Sequence, residues 1–490
     1  MSKRLANRSH EPTSEEYQIR AIVTETSRRG SPDLDAGQLQ AVGAIVSGPR
    51  LVVIEGAAGA GKTTLLAGAR DAHEREYRQL TVVTPTRKAA RVAAEQTGAT
   101  ATSAAWLAHQ YGFRWDENGH WTRLQPGQTD PVTGRMYEGP CREARLRPRG
   151  TLLIDEAGML DQDTALALMT IADETRVRVA FVGDRHQLPA VGRGGVLDHA
   201  VRWVDGNGYV PLAAVHRFRD PDYADLSLRM RSGEQPWRVF DQLATDGHIA
   251  MHADEHKRTN AIVTAVVEDL VAGRGVIVAA DTRAQVLELN LAIRSALVHV
   301  GVVDQSDEVF VPGGPISAGD KIVTRRNDGV LAVANRDTWS VVQVHDNGSI
   351  TVTGKPGQRN LPAEYVRDHV ELGYATTIHG AQGDTVENAH LVLAEGTGAA
   401  AAYVGMTRGR HTNTAHIVAA TVGDAREQWA TAFSRDRADL GPAAAARRAS
   451  KEAVRCAAFR RRPQPVPQPV PQLPSPSARL ARPPGRGISR

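Results

Sequence analysis

Eight consecutive residues constrain this chain of 490 more than anything else in it: Gly56-Ala57-Ala58-Gly59-Ala60-Gly61-Lys62-Thr63. They fit G-x-x-x-x-G-K-[ST], behind an apolar LVVIE that reads as a strand and ahead of TLLAGARDA, which reads as a helix. Glycines at 56, 59 and 61 let the backbone turn until successive N–H groups face one anion, and the helix adds its positive N-terminal end. The pattern predicts a phosphate-binding loop in an α/β fold. Residues 56–64, through Thr64, are expected to hold ATP, with Lys62 reaching the β- and γ-phosphates and the Thr63 hydroxyl ligating Mg²⁺.

Such a loop needs an acid at the end of a neighbouring strand. TLLIDEAG (151–158) supplies Asp155 for the metal and Glu156 to orient and deprotonate the attacking water. A second carboxylate directly after the metal-binding one separates translocating ATPases from most nucleotide kinases and GTPases. In VAFVGDRHQLPAVGRGG (179–195) a strand ends at Gly183-Asp184, and Gln187 follows in a loop. An amide there can sense the γ-phosphate on one side and an adjoining DNA channel on the other.

Short apolar runs alternate with Ala-rich helical stretches over 34–110, the rhythm of a parallel sheet. Residues 111–149 break it with FRWDENGHWTRL, a hairpin around Glu117-Asn118-Gly119, and a turn-rich PGQTDPVTG. A second α/β stretch begins near 216. Residues 311–370 read as all β, with a hairpin at Asn347-Gly348 and an exit at LPAEYV, before α/β returns at 373. Helices interrupted at Gly441-Pro442 are expected over 424–459, and an unfolded tail over 460–490.

Net charge is +4, but residues 460–490 carry seven arginines and no acid, which leaves 4 − 7 = −3 for residues 1–459. DNA binding therefore has to rest on particular sites rather than on overall charge. No run of 18 apolar residues suggests a membrane span, and no secretory signal opens the chain. Cys141 and Cys456 lie far apart, which points to a reducing compartment, the cytoplasm by default.

Read together, these residues resemble superfamily 1 helicases of the RecD/TraI-like branch. LDAGQ (34–38) resembles the adenine-reading segment, with Gln38 on the base. TPTRKAA (84–90) and ATSAAWL (101–107) resemble strand-gripping segments, and VHRFRDP (215–221) the segment with a first arginine finger, Arg217. GYATTIHGAQG (373–383), ending at Gly383 beside the nucleotide, resembles the motif that couples DNA to ATP, and YVGMTRGR (403–410) the one with the second finger, Arg408. The nearer resemblance is to the helicase half of TraA-type conjugative relaxases of the MobF family. It implies tandem RecA-like domains at 34–215 and 216–423, with a hairpin insertion in the first and a small SH3-like β-barrel insertion in the second. It also implies 5′-to-3′ movement, as a monomer on DNA, beside conjugation or replication and repair proteins.

The same resemblance carries a nicking domain with a tyrosine nucleophile and a histidine triad. Here an N-terminal arm of about 33 residues holds one histidine, His10, and one tyrosine, Tyr17, so no nicking is expected. Partners should be single-stranded DNA and its junctions with duplex. Thr84, Thr86, Thr102, Ser103, Thr377 and His379 are small donors at strand ends, suited to phosphates. Trp106, Trp115 and Trp121 could stack on bases or pack in the core. His248, His252 and His256 sit four apart in a strand-like HIAMH region, where they would not converge on a metal.

Overall fold

The computed structural model describes residue 4 and residues 34–435, apart from 117, 191 and 205. The rest of the expected N-terminal arm, the segment 436–459 and the Pro/Arg-rich tail lie outside the described residues.

The first sheet is parallel because each strand is followed by a helix that crosses back over it. Its region runs β1 (Leu51–Gly56), β2 (Leu80–Thr84), β3 (Thr100–Ser103), a separate antiparallel pair β4 (Phe113–Trp115) and β5 (Trp121–Arg123), then β6 (Thr151–Ile154), β7 (Arg178–Gly183) and β8 (Tyr209–Leu212). The six-stranded order is β3-β2-β6-β7-β1-β8. Side chains alternate across β1. Leu51 and Val53 enter a core with Leu168, Ile171 and Phe181, whereas Val52 and Ile54 enter one with Ile45, Leu65 and Leu66. Apolar packing on both faces fixes the register and leaves only the strand ends free for chemistry.

The second region contains β9 (Ile249–His252) and β10 (Val276–Ala280), then an antiparallel excursion, and finally β18 (Ala375–Thr377), β19 (Val386–Leu393) and β20 (Gly409–Val418). These five strands form a parallel sheet ordered β18-β10-β19-β20-β9. The excursion comprises the hairpin β11 (Glu308–Val311) and β12 (Gly314–Ser317), followed by β13 (Lys321–Thr324), β14 (Thr338–Val344), β15 (Ile350–Gly354), β16 (Gly357–Leu361) and β17 (Val370–Leu372). Gly348 turns between β14 and β15 at φ 78°. The proline-bounded exit at LPAEYV, in the stretch read as all β, is instead a helix, Ala363–His369. Pro362 precedes it and Glu364 favours its first turn, so local chemistry outweighs the surrounding β pattern.

Ion pairs are among the ties that join the regions within this compact unit. Lys88 pairs with Asp384 at 2.8 Å, and Arg91 grips the buried Asp337 through both terminal nitrogens.

His252, on β9, does not gather His248 and His256 around a metal. It bonds His416 on β20 at 3.0 Å, and His416 bonds His390 on β19 at 3.0 Å. Burial pushes the His416 imidazole down to about 2, helped by its two histidine neighbours, and burial pushes His73 down to about 4. Both therefore fold neutral, while unfolded histidine begins to take up protons near pH 6.5. Stability should hold above pH 7 and fall as pH drops from about 6.5 toward 4, by about 1.4 kcal/mol per pH unit for each of the two. Urea unfolding between pH 7 and pH 5 measures this. His416→Gln should flatten the slope by one such increment, and an unchanged slope would contradict the assignment.

Candidate functional site: a phosphate-binding cleft between two parallel sheets

The loop 56–61 leaves β1 and enters the helix Lys62–Arg75, with Gly61 as its N-cap. Gly59 and Gly61 stand at φ 85° and 69°. A Cβ at Gly59 would lie 2.4 Å from the Cβ of Arg217, and one at Gly61 would lie 2.2 Å from Nε2 of Gln38. Glycine is thus required twice over, by backbone angle and by close approach. The Lys62 ammonium donates to the carbonyls of Gly56 at 3.0 Å and Ala57 at 3.3 Å. Thr63 is exposed and Thr64 half-buried on the first helical turn, while Ala57, Ala58 and Ala60 are buried.

Gln38 sits against this loop. Its Oε1 accepts from the Asp35 backbone N–H, and its Nε2 donates weakly to the carbonyls of Ala60 and Gly61 at 3.3 and 3.4 Å. His216 closes the same corner, its backbone N–H on the Gly59 carbonyl at 2.8 Å and its ring on Asp35 at 2.8 Å.

Asp155 follows β6 directly. Burial, then the adjacent Glu156, raises its carboxyl to about 7, and Lys62 works against that rise. A half-buried acid held this far up is poised for a cation. Glu156 occupies the left-handed region at φ 51°, a strained setting for a residue with a side chain, of the sort that persists at working sites. Loop glycines, Lys62, a Thr63 hydroxyl and a cation-seeking Asp155 are the donor set that Mg²⁺ and a nucleotide triphosphate require.

Two arginines arrive from the second region. Arg217 is half-buried, donates to the Thr407 carbonyl, and is lowered to about 9 by burial and then by the neighbouring Arg408. Arg408 is 2% exposed and donates to Val404 and Asp384 carbonyls and to the Thr407 hydroxyl. Burial lowers it, and Glu156 is the first charge opposing that effect. Neither forms an ion pair with a carboxylate among the described residues. Gln187 is buried and accepts from Nε2 of Gln382 at 3.3 Å, a bond from the loop after β7 to the segment after β18. Gly383 follows in a turn at φ 87° with open space at its Cβ position.

Several residues here escaped the sequence reading. Tyr403, 1% exposed, accepts from the Ala58 N–H at 2.8 Å and donates to Asp184 at 3.1 Å, joining the second region to the loop. Arg231 bonds both Asp184 and Glu55, and Glu55 also accepts from Arg185 and Tyr209. Glu55 had one available signal, a carboxylate inside an otherwise apolar central strand. Tyr403, Asp184 and Gln382 lay within quoted motifs, but their partners are far away in the chain.

The strand-end donors divide. Thr84 is fully buried and spends its hydroxyl on the Thr86 carbonyl, so it shapes the turn and is not available to a strand of DNA. Thr86, Ser103 and Thr377 are helix N-caps that accept from Ala89, Trp106 and Gly380. Thr102 and His379 are half-buried, and Trp106 is 37% exposed. Trp115 and Trp121 stack with ring centroids 4.8 Å apart, across the β4–β5 hairpin.

A glycine loop after β1, an acid pair after β6, Arg217 on the segment after β8 and Arg408 just before β20 form the arrangement of a P-loop nucleotide-binding fold. Residues 33–254 match the AAA domain family. The chain is 26% identical over 397 residues to the probable conjugal transfer protein TraA of Sinorhizobium fredii, covering 80% of this chain and 33% of that one. It is 26% identical over 367 residues to the ATP-dependent RecD2 DNA helicase of Deinococcus radiodurans, covering 74% and 45%. A Pif1 helicase, from a structure of DNA unwinding at forked double-stranded DNA by two coordinating Pif1 helicases, superposes with a TM-score of 0.52 at 19% identity, covering 81% of this chain and 94% of that one. The chain spans about a third of the length of the TraA relatives it matches. Among the described residues no helix is long and apolar enough to cross a membrane.

Proposed function

We propose that this chain is an ATP-driven DNA helicase motor. It hydrolyses ATP to move along single-stranded DNA, 5′ to 3′, and opens junctions with duplex, as a monomer in the cytoplasm. The two parallel sheets act as tandem RecA-like domains, 34–215 and 216–423. Insertions at about 111–149 and 311–370 serve as a strand-separating hairpin and an SH3-like barrel. Relatives named for conjugal transfer and for ATP-dependent unwinding support this reading, with conjugation or repair proteins as partners.

One observation carries the proposal. Arg217 and Arg408 meet beside the P-loop, neither held in an ion pair with a carboxylate among the described residues, and Arg408 lowers the affinity of Arg217 for a proton. Such a pair is stabilised by an anion, and the γ-phosphoryl group in transfer is one. Lys62 steadies the β/γ charge, Glu156 takes the proton of the attacking water, and the arginines bear on the charge that spreads over the γ-oxygens. Thr63 and Asp155 would hold Mg²⁺, which when bound supplies charge neutralisation on the phosphate oxygens. Because the arginines come from the second domain, hydrolysis depends on closure, and the Gln187–Gln382 and Tyr403–Asp184 bonds relay it. Thr86, Ser103 and Thr377 position DNA phosphates at helix starts, with Thr102 and His379 beside them and Trp106 stacking on a base.

ATPase turnover should rise severalfold or more on adding single-stranded DNA, with affinities for unrelated strands of one length agreeing within a few-fold. The logarithm of affinity should fall with the logarithm of salt by about 0.7 per phosphate neutralised. Unstimulated hydrolysis, or strong preference for one sequence, would defeat the proposal.

A further inference from the structure

At the opposite end of the first sheet's strands from the P-loop, where β2 and β6 begin, the surface carries a concentration of arginine that the motor cycle does not use. Residues 141–149 include Arg142, Arg145, Arg147 and Arg149, all exposed, against the single acid Glu143. None of the four forms an ion pair with a carboxylate among the described residues. In a body of net charge −3 outside the tail, this excess is local rather than a general property of the chain.

The segment is held rigidly. Gln79 clamps it twice, accepting from the Arg147 N–H at 2.7 Å and donating to the Arg145 carbonyl at 3.1 Å. Leu146 is buried between them, and its N–H donates to the Tyr111 hydroxyl at 3.0 Å. Arg142, Arg145 and Arg147 share the wall of a pocket of 640 Å³ with Arg78 and Tyr77. Tyr77 is 98% exposed on a left-handed backbone at φ 54°, so the chain presents an aromatic ring to solvent instead of burying it.

Exposed guanidinium groups on a clamped backbone along a groove, with an outward aromatic ring, are the two components of a single-strand binding surface: charge follows the phosphates and the ring takes a base. We propose that this pocket is a second nucleic-acid site, which holds single-stranded DNA away from the strand-end donors Thr86, Ser103 and Thr377. An acidic peptide would use the arginines but has no base to stack on Tyr77, so the ring favours nucleic acid. The inference rests on the DNA-motor reading for the identity of its ligand.

The test uses the full chain with Arg142, Arg145 and Arg147 changed to Ala, and separately Tyr77→Ala. These are surface positions, and thermal melting checks the fold. Binding of a labelled 40-nucleotide strand, read by anisotropy, should weaken about tenfold in the triple variant, with the salt slope smaller by about 2, from about 0.7 per lost phosphate contact. Tyr77→Ala should weaken it about 5- to 150-fold, the weight of one stacked base, without changing the slope. Stimulation of ATPase by an 8-nucleotide strand should be unchanged in both. Unaltered long-strand affinity and salt slope would overturn the site, as would loss of poly-glutamate binding with DNA binding intact, the result for a protein partner. Absence of DNA-stimulated hydrolysis in the wild type would instead fault the motor reading, while the long-strand comparison still decides the pocket.

Discussion

Exchanging Glu156 for Gln is expected to leave ATP binding near the wild-type level and to lower turnover by about 10²–10⁴, the usual weight of a general base. The exchange is nearly isosteric, so the φ of 51° and the neighbouring Asp155 are retained and only the ability to accept a proton is lost. Lys62→Ala gives the contrasting result. It removes the loop's cation and should weaken nucleotide binding itself. Equilibrium binding of a labelled ATP analogue beside single-turnover hydrolysis separates the two. Near wild-type turnover in Glu156→Gln would remove that residue as the base.

The second large effect falls on the arginines. Arg408→Ala should lower DNA-stimulated turnover by about 10³–10⁵, within the range for arginines that face a transferring phosphoryl group. Arg217→Ala should act in the same direction. Arg408 is buried and bonded to two carbonyls and a hydroxyl, so its loss also leaves a cavity and unpaired acceptors. Arg408→Lys keeps the charge but not the planar fork, and is the cleaner variant. It should fold as the wild type does and still hydrolyse ATP slowly. If Arg408→Lys or Arg217→Ala hydrolysed within tenfold of wild type, the arginine in question would not face the transferred group.

Lys62, Asp155 and Glu156 stand out in the sequence for a local reason, whereas Arg217 and Arg408 were named from the family resemblance alone. A phosphate loop and an acid pair after a strand each complete their geometry within a few residues, so spacing alone reveals them. The two parallel sheets were legible on the same grounds, since apolar runs buried on both faces leave few alternatives. The helix at Ala363–His369 was misread because a short segment beside strands carries little periodicity of its own. Thr84 was misread because its exposure depends on what covers the end of β2, and local sequence does not encode that cover.

The sequence by itself determined the chemistry: which residues can cradle phosphate, take a proton, or stabilise charge. The tertiary structure alone decided which of them meet. Tyr403 reaches Ala58 across 345 positions, Arg231 reaches Glu55 across 176, and Gln382 reaches Gln187 across 195. Such pairs arise from the order of strands in two sheets and the packing between them. Side-chain hydrogen bonds act over about 3 Å, whereas sequence patterns specify only turns, faces and ends.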